Sequence, residues 1–143
     1  MRAILIDPVA RTMTEVDYDG DYKSIYRLID VDMFEVMQIS DIESVFIDEE
    51  GLLKEPAPTH YFKIGDDGHP LSGKGLVLGV NDEGDSIATQ LTIDELSTII
   101  QFVRLTFHGF QAYEGTVNHP ILGPNTPLIG QRAIFGPFDE ESR

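Results

Sequence analysis

Gly68, Gly73 and Lys74 stand in the spacing Gly-x-x-x-x-Gly-Lys, which is most of a phosphate-binding loop. In such a loop backbone N–H groups cradle the phosphates, the lysine reaches the outer ones, and a following Ser or Thr holds magnesium. The phosphates also meet the N-terminus of the helix that comes next. Here Gly75 follows the lysine, and Leu76-Val77-Leu78-Gly79-Val80 reads as a strand. Both the magnesium ligand and the helix are missing from the pattern. The stretch therefore reads as a glycine loop that lets a buried strand start against a neighbouring backbone. A weaker chemical use stays open. Gly73, Lys74 and Gly75, with His69 beside them, offer backbone N–H groups and a charge to a small ligand such as a nucleotide.

Carboxylates are the second source of chemistry. Asp48, Glu49 and Glu50 form one cluster, and Asp82, Glu83 and Asp85 another. Asn81, Glu83 and Asp85 alternate as calcium ligands do, but Gly84 falls at the fourth position, where a calcium-binding helix–loop–helix needs glycine at the sixth. Close acid pairs are expected by chance in so acidic a chain, so a glycosidase-like dyad has no support from spacing. His60, His69, His108 and His119 include no H-x-x-x-H pair. There is no G-x-S-x-G nucleophile elbow. Cysteine is absent, which excludes disulfides, thiolate catalysis and cysteine zinc sites. No motif implies a cofactor or a resident metal, and an enzyme of unrecognised chemistry is the third-ranked reading.

Charge bounds the partners. The 143 residues carry 25 Asp and Glu against ten Lys and Arg, a net of −15. Residues 1–95 hold 21 acids and seven bases, a net of −14. Such a surface repels nucleic-acid phosphates, so direct nucleic-acid binding is not expected; a basic partner, a metal ion or plain solubility are the uses left for the acids. No apolar run is long enough to span a membrane. With no signal-peptide pattern and no cysteine, the expected location is the cytoplasm.

The elements that position these groups follow from periodicity. Arg2–Asp7 is an apolar strand stopped by Pro8, and 12–17 alternates polar and apolar, so the two pair as an antiparallel hairpin. Tyr22, Ile25, Tyr26 and Ile29 form the apolar stripe of a helix over Asp21–Asp30, with both tyrosines read as core. Strands are expected over 33–39, 44–48, 61–64 and 76–80, with a turn at Glu49-Glu50-Gly51 and a return through Leu52 and Leu53. Thr92-Ile93-Asp94-Glu95 is a capping box opening a second helix, expected to run to Arg104 on the stripe Ile93, Leu96, Ile99, Ile100 and Val103. The fold class is α+β, a mainly antiparallel sheet with both helices on one face. Ile4, Ile6, Val16, Ile25, Ile29, Phe46, Val77, Leu96 and Ile100 should be buried.

Past Arg104 the composition changes. Residues 105–138 hold two charged side chains, Glu114 and Arg132, among many glycines, prolines and large apolar residues. The chain thus divides into an acidic α+β domain over 1–104, an extended apolar Gly/Pro-rich C-terminal arm over 105–138, and a tail over 139–143. An apolar arm of this length needs a surface to cover it, either its own domain or a partner subunit. A homodimer joined through residues 105–138 would supply one.

Ala3-Ile4-Leu5-Ile6-Asp7-Pro8, Asp19-Gly20-Asp21-Tyr22-Lys23-Ser24-Ile25-Tyr26, Phe46-Ile47-Asp48-Glu49-Glu50-Gly51-Leu52 and the stretch from Pro70 to Gly79 together resemble a family of small phage- and plasmid-encoded proteins of unknown function. The resemblance covers about residues 1–104 and brings no catalytic residues with it. It implies a mobile-element protein in a bacterial host. Small acidic proteins of that kind are often inhibitors that imitate the phosphate lattice of DNA. The first-ranked expectation is therefore a non-enzymatic interaction protein, a DNA-mimic inhibitor of a basic host nucleic-acid-binding or defence protein. Its partner-binding acids would be Asp48, Glu49, Glu50, Asp82, Glu83 and Asp85. The alternative is the small-ligand protein built on the Gly73-Lys74-Gly75 loop.

Overall fold

The computed structural model describes residues 1–50, 58–65, 68–119, 121 and 123–137, with backbone alone over 106–119 and 125–135. The expected return through Leu52 and Leu53, and the tail, lie outside these residues. In chain order the elements are β1 (Arg2–Asp7), β2 (Thr12–Asp17), α1 (Tyr22–Leu28), β3 (Phe34–Gln38), β4 (Glu43–Asp48), β5 (His60–Ile64), β6 (Leu71–Ser72), β7 (Gly75–Val80), β8 (Ser86–Ile87), α2 (Ile93–Ser97), β9 (Ile100–His119) and β10 (Gly123–Pro137).

The strands form two sheets. The first has the order β2-β1-β7-β4-β3, with β8 also paired to β7, and the second the order β10-β9-β5-β6. Every pairing among the described strands is antiparallel. The fold is α+β, dominated by antiparallel sheet with two short helices.

Burial explains the layering. β4 and β7 are buried along nearly their whole length, as strands covered on both faces must be. Alternation sends Ile4, Ile6, Val45, Ile47 and Val77 to one face, where they pack with Phe62, Ile100 and Leu96. Ala3, Phe46, Leu76 and Leu78 point the other way and pack with Ile25 of α1 and Ile29 at its C-cap. The two helices therefore lie against opposite faces of the first sheet, not on one face as the element count suggested. One face is covered by α1, the other by the second sheet and α2. The apolar runs of β4 and β7 demanded a cover on each side.

Helix lengths also differ from expectation. α1 is capped by Asp21, whose side chain accepts from Lys23 N. It closes where Val31 N donates to Tyr26 O at 3.0 Å and Asp30 takes φ +59°, a left-handed residue that ends the turn. α2 opens with the expected capping box, Thr92 and Glu95 each accepting from the other's backbone N–H. It stops at Ser97 rather than Arg104. Ser97 and Thr98 hydroxyls donate to the carbonyls of Asp94 and Glu95 at 2.6 Å, and the chain beyond, rich in β-branched and aromatic residues, enters β9. Ile100 is still buried, as a strand residue.

The expected core holds with one exception, Val16, which is only half-buried. Tyr22 is a second departure. It is 59% exposed and sits edge-on to half-buried Tyr26, which leans on Phe34 and so, through Phe34, on Phe46. The C-terminal stretch is a hairpin. β9 runs unbroken through Arg104 and pairs with β10 from Val103 to His119, while β5 flanks it only from Ile100 to Arg104.

Candidate functional site

The glycine loop is shaped by packing. Gly73 turns the chain from β6 into β7 at φ +79°, a conformation L side chains avoid. A Cβ at Gly75 would stand 2.9 Å from the Phe62 ring and 3.1 Å from Val45 Cγ2. That glycine makes room for an aromatic ring from the opposing sheet, rather than for a backbone. The backbone approach occurs at Gly79, where a Cβ would lie 2.6 Å from the carbonyl oxygen of Ala88. The loop runs directly into a strand, so the helix that a phosphate loop needs does not follow Lys74. His69 is exposed and Lys74 half-buried.

One group here escaped the sequence reading. Ser72 is 5% exposed, and among the described residues its Oγ finds no hydrogen-bond partner. Its side chain points away from Phe62, on the face of the second sheet shared with Tyr61 and Val103, because Ser72 pairs with Tyr61 and Tyr61 with Val103. An orphan buried hydroxyl is a cost. Ser72→Ala is therefore expected to raise stability by about 1 kcal/mol, read as a higher urea midpoint. A lower midpoint would mean the hydroxyl has a partner in solution.

The two acid clusters are not brought together. Register sets Glu43 opposite Gly79 and Phe46 opposite Leu76. Asp48–Glu50 therefore lies at one end of the β4–β7 pair and Asp82–Asp85 at the other, roughly 20 Å apart at the rise of a strand. Asp48 is buried, and its Oδ1 accepts from Glu50 N at 2.9 Å. It builds its own turn, leaving Glu49 and Glu50 exposed. It also adjoins the glycine loop, since a Cβ at Gly73 would meet Asp48 Cβ at 3.8 Å. In the other turn Asn81 Oδ1 accepts from Glu83 N and Asp85 N, and Gly84 takes φ +85°. Asp82, Glu83 and Asp85 then all face solvent. Among the described residues no three His or carboxylate side chains gather in a way that could hold a metal ion.

Asp17, Asp19, Ser24, Arg27 and Leu28 line a shallow open cleft beside α1. Ser24 Oγ donates to Asp19 Oδ2 at 2.6 Å and accepts from Arg27 Nη2 at 3.1 Å. That bond from Ser24, with the Asp21 N–H and the Arg27 charge, holds the Asp19 carboxyl below the ordinary aspartate range. A carboxylate with a lowered pKa is a poor base. The trio thus reads as a fastening for the start of α1 rather than an activated nucleophile. With a depressed pKa, its contribution is complete at neutral pH and fades as pH falls through the folded-state value.

A buried network is the other group that sequence reading missed. Glu43, 2% exposed, accepts from Thr89 Oγ1 at 2.7 Å and from Gln90 N at 2.8 Å. Arg2 Nη1 donates to the carbonyls of Thr89 and Leu91, and Arg2 Nε to Glu15. The segment between β8 and α2 is thus tied to β1 and β4. The only hint in the sequence was a glutamate placed against the apolar strand beginning at Ser44.

Comparison with curated proteins and with solved structures returned no match. Among the described residues no helix is long and apolar enough to cross a membrane. A family profile matches residues 1–101, from the first strand to the start of β9, leaving nearly all of the β9–β10 hairpin outside it. With so much of its length matched, the chain belongs to the DUF3846 family, defined by a domain of unknown function.

Proposed function

We propose that this chain is a non-enzymatic interaction protein that presents carboxylates to a basic surface, a DNA-mimic inhibitor of a nucleic-acid-binding protein in a bacterial host, encoded by a phage or plasmid. The observation carrying this reading is where the acids stand. Every described acid of residues 1–95 except Asp7, Glu43 and Asp48 is exposed. Buried Glu43 and Asp48 serve internal turns and ties. Glu15 and Asp17 pair with Arg2 and the amino terminus, and Asp19, Asp21 and Glu95 serve local turns and caps. Glu49, Glu50, Asp82, Glu83 and Asp85 face solvent, and carboxylates displace DNA from a basic groove by the Coulomb and counterion terms that DNA itself uses. The test is capture from a bacterial lysate by the full chain at low salt. The reading expects a nucleic-acid-binding protein released by high salt and competed off by duplex DNA. Capture that neither salt nor DNA reverses would reject it.

The proposal extends to a dimer through residues 105–138. A two-stranded ribbon is marginal alone in water, and beyond Leu105 the described part of β9 pairs with β10 alone. A second copy would cover it while leaving the acids of residues 1–95 outside. Light scattering on the full chain should give twice the monomer mass; a monomer removes this part.

The second reading is a small-ligand protein, favoured by the orphan Ser72 hydroxyl one residue before Gly73. Calorimetry with magnesium–ATP is expected to show no binding that Lys74→Ala removes. Lysine-dependent binding would put the ligand reading first.

A further inference from the structure

We propose that the free edge of β3 is a docking site for a basic, extended segment of another protein, which adds to the first sheet as a further strand. This rests on the reading above, that the partner is basic, and says where it binds. Among the described strands β3 ends the order of its sheet. Its hydrogen-bond phase follows from its two flanks. Glu49 N donates to Met33 O, and Ile39 N to Glu43 O. Both pairs continue the register of Val36 with Phe46. In an antiparallel ladder bonded pairs alternate with non-bonded ones. Glu35 and Met37 therefore bond to β4, while the N–H and C=O groups of Phe34, Val36 and Gln38 point outwards.

Sheet edges are normally blunted with charge. The opposite edge strand, β2, follows that rule: Glu15 and Asp17 are exposed on it and form ion pairs with Arg2 and the amino terminus. β3 does not. Val36 is 51% exposed and Met37 39%, with Met33 and Ile42 also open to solvent beside them. Among the described residues of this stretch, 28–50, every charged side chain is an acid. Residues 28–53 contain no Lys or Arg, and Asp30, Asp32, Glu35 and Asp41 are exposed there. Main-chain bonds, apolar contacts on alternate side chains and surrounding carboxylates fit a strand that alternates basic and apolar residues. A second copy fits poorly, because Asp32, Glu35 and Asp41 of both chains would meet like charges.

The experiment titrates the full chain with the peptide Lys-Val-Lys-Val-Lys-Val-Lys, followed by amide NMR. The expected result is shifts and slowed exchange at Phe34, Val36 and Gln38. Val36→Pro should weaken binding at least about tenfold, since it removes an outward N–H that β4 does not use. If that variant does not fold, a peptide N-methylated at alternate residues keeps the charge, loses the donors, and should fail to bind the unaltered chain. Binding that persists in Val36→Pro or with the N-methyl peptide, with shifts centred on Asp82–Asp85 instead, overturns the edge site while leaving a basic partner in place. No binding of the peptide at low salt overturns the edge site, and the lysate capture then judges the basic-partner reading separately. Self-association that Val36→Pro abolishes overturns it in favour of a second copy.

Discussion

Phe62→Ala is expected to destabilise the protein by about 3–5 kcal/mol, the range for removing a buried aromatic ring. Phe62 is fully buried and lies between the two sheets, in the cluster containing Ile4, Val45, Val77 and Leu96. The second sheet meets the first through this ring, and β7 makes room for it by having glycine at position 75. Neither sheet can close the gap easily, because the strands around it are held by ladders on both sides. Most of the ring's volume would remain as a cavity. Urea unfolding measures the loss; a change below about 1 kcal/mol would mean the sheets do not pack through this ring. A coupled test is sharper. Gly75→Ala alone places a Cβ against the ring and should destabilise. In a Phe62→Leu background the same change should cost less, because the atom it strikes has gone. Additive effects would show that the two positions do not touch.

How much of this was legible varies with how local the determinant is. The β1–β2 hairpin, with Arg2–Asp7 and 12–17 as its strands, follows from an alternating pattern and a proline stop, and the structure has it at those bounds. The capping box of α2 is equally local. The end of α2 was not, because Leu96 and Ile100 satisfy a helical stripe and also a turn followed by a strand facing the same core. The competition between them is decided by hydroxyl capping at Ser97 and Thr98 and by the pairing of β9 with β5. The placement of the helices is a tertiary fact. It follows from the double-sided burial of β4 and β7, visible in sequence only as runs such as Ser44-Val45-Phe46-Ile47 and Leu76-Val77-Leu78. The acid clusters show the same limit. Spacing suggested two patches, but only strand register puts them at opposite ends of one ladder. Glu43 and Ser72 were invisible because their meaning depends on which atoms surround them.

Glu43→Ala should cost about 2–4 kcal/mol, the weight of a buried carboxylate that accepts two hydrogen bonds. Its oxygens are the acceptors for Thr89 Oγ1 and Gln90 N. Removing them strands the Gln90 N–H in a part-buried position and frees the Thr89 hydroxyl, which then has only its bond from Leu91 N. Thr89→Val should cost less, about 1 kcal/mol, because the carboxylate keeps its bond to Gln90 and the backbone tie from Thr89 N to Arg2 O at 2.9 Å survives. Glu43→Gln tells a hydrogen-bonding role from a purely steric one. The amide fills the same space, but its NH2 must face one of two donors, so it should recover less than half of the alanine loss. Full recovery by Gln would mean that shape, not acceptor capacity, is what the site needs. Hydrogen exchange adds the local readout: the Gln90 amide should lose protection in Glu43→Ala well before the β1 and β7 amides do. Loss spread evenly over the sheet would place Glu43 in the global core, not in the tie that holds the approach to α2.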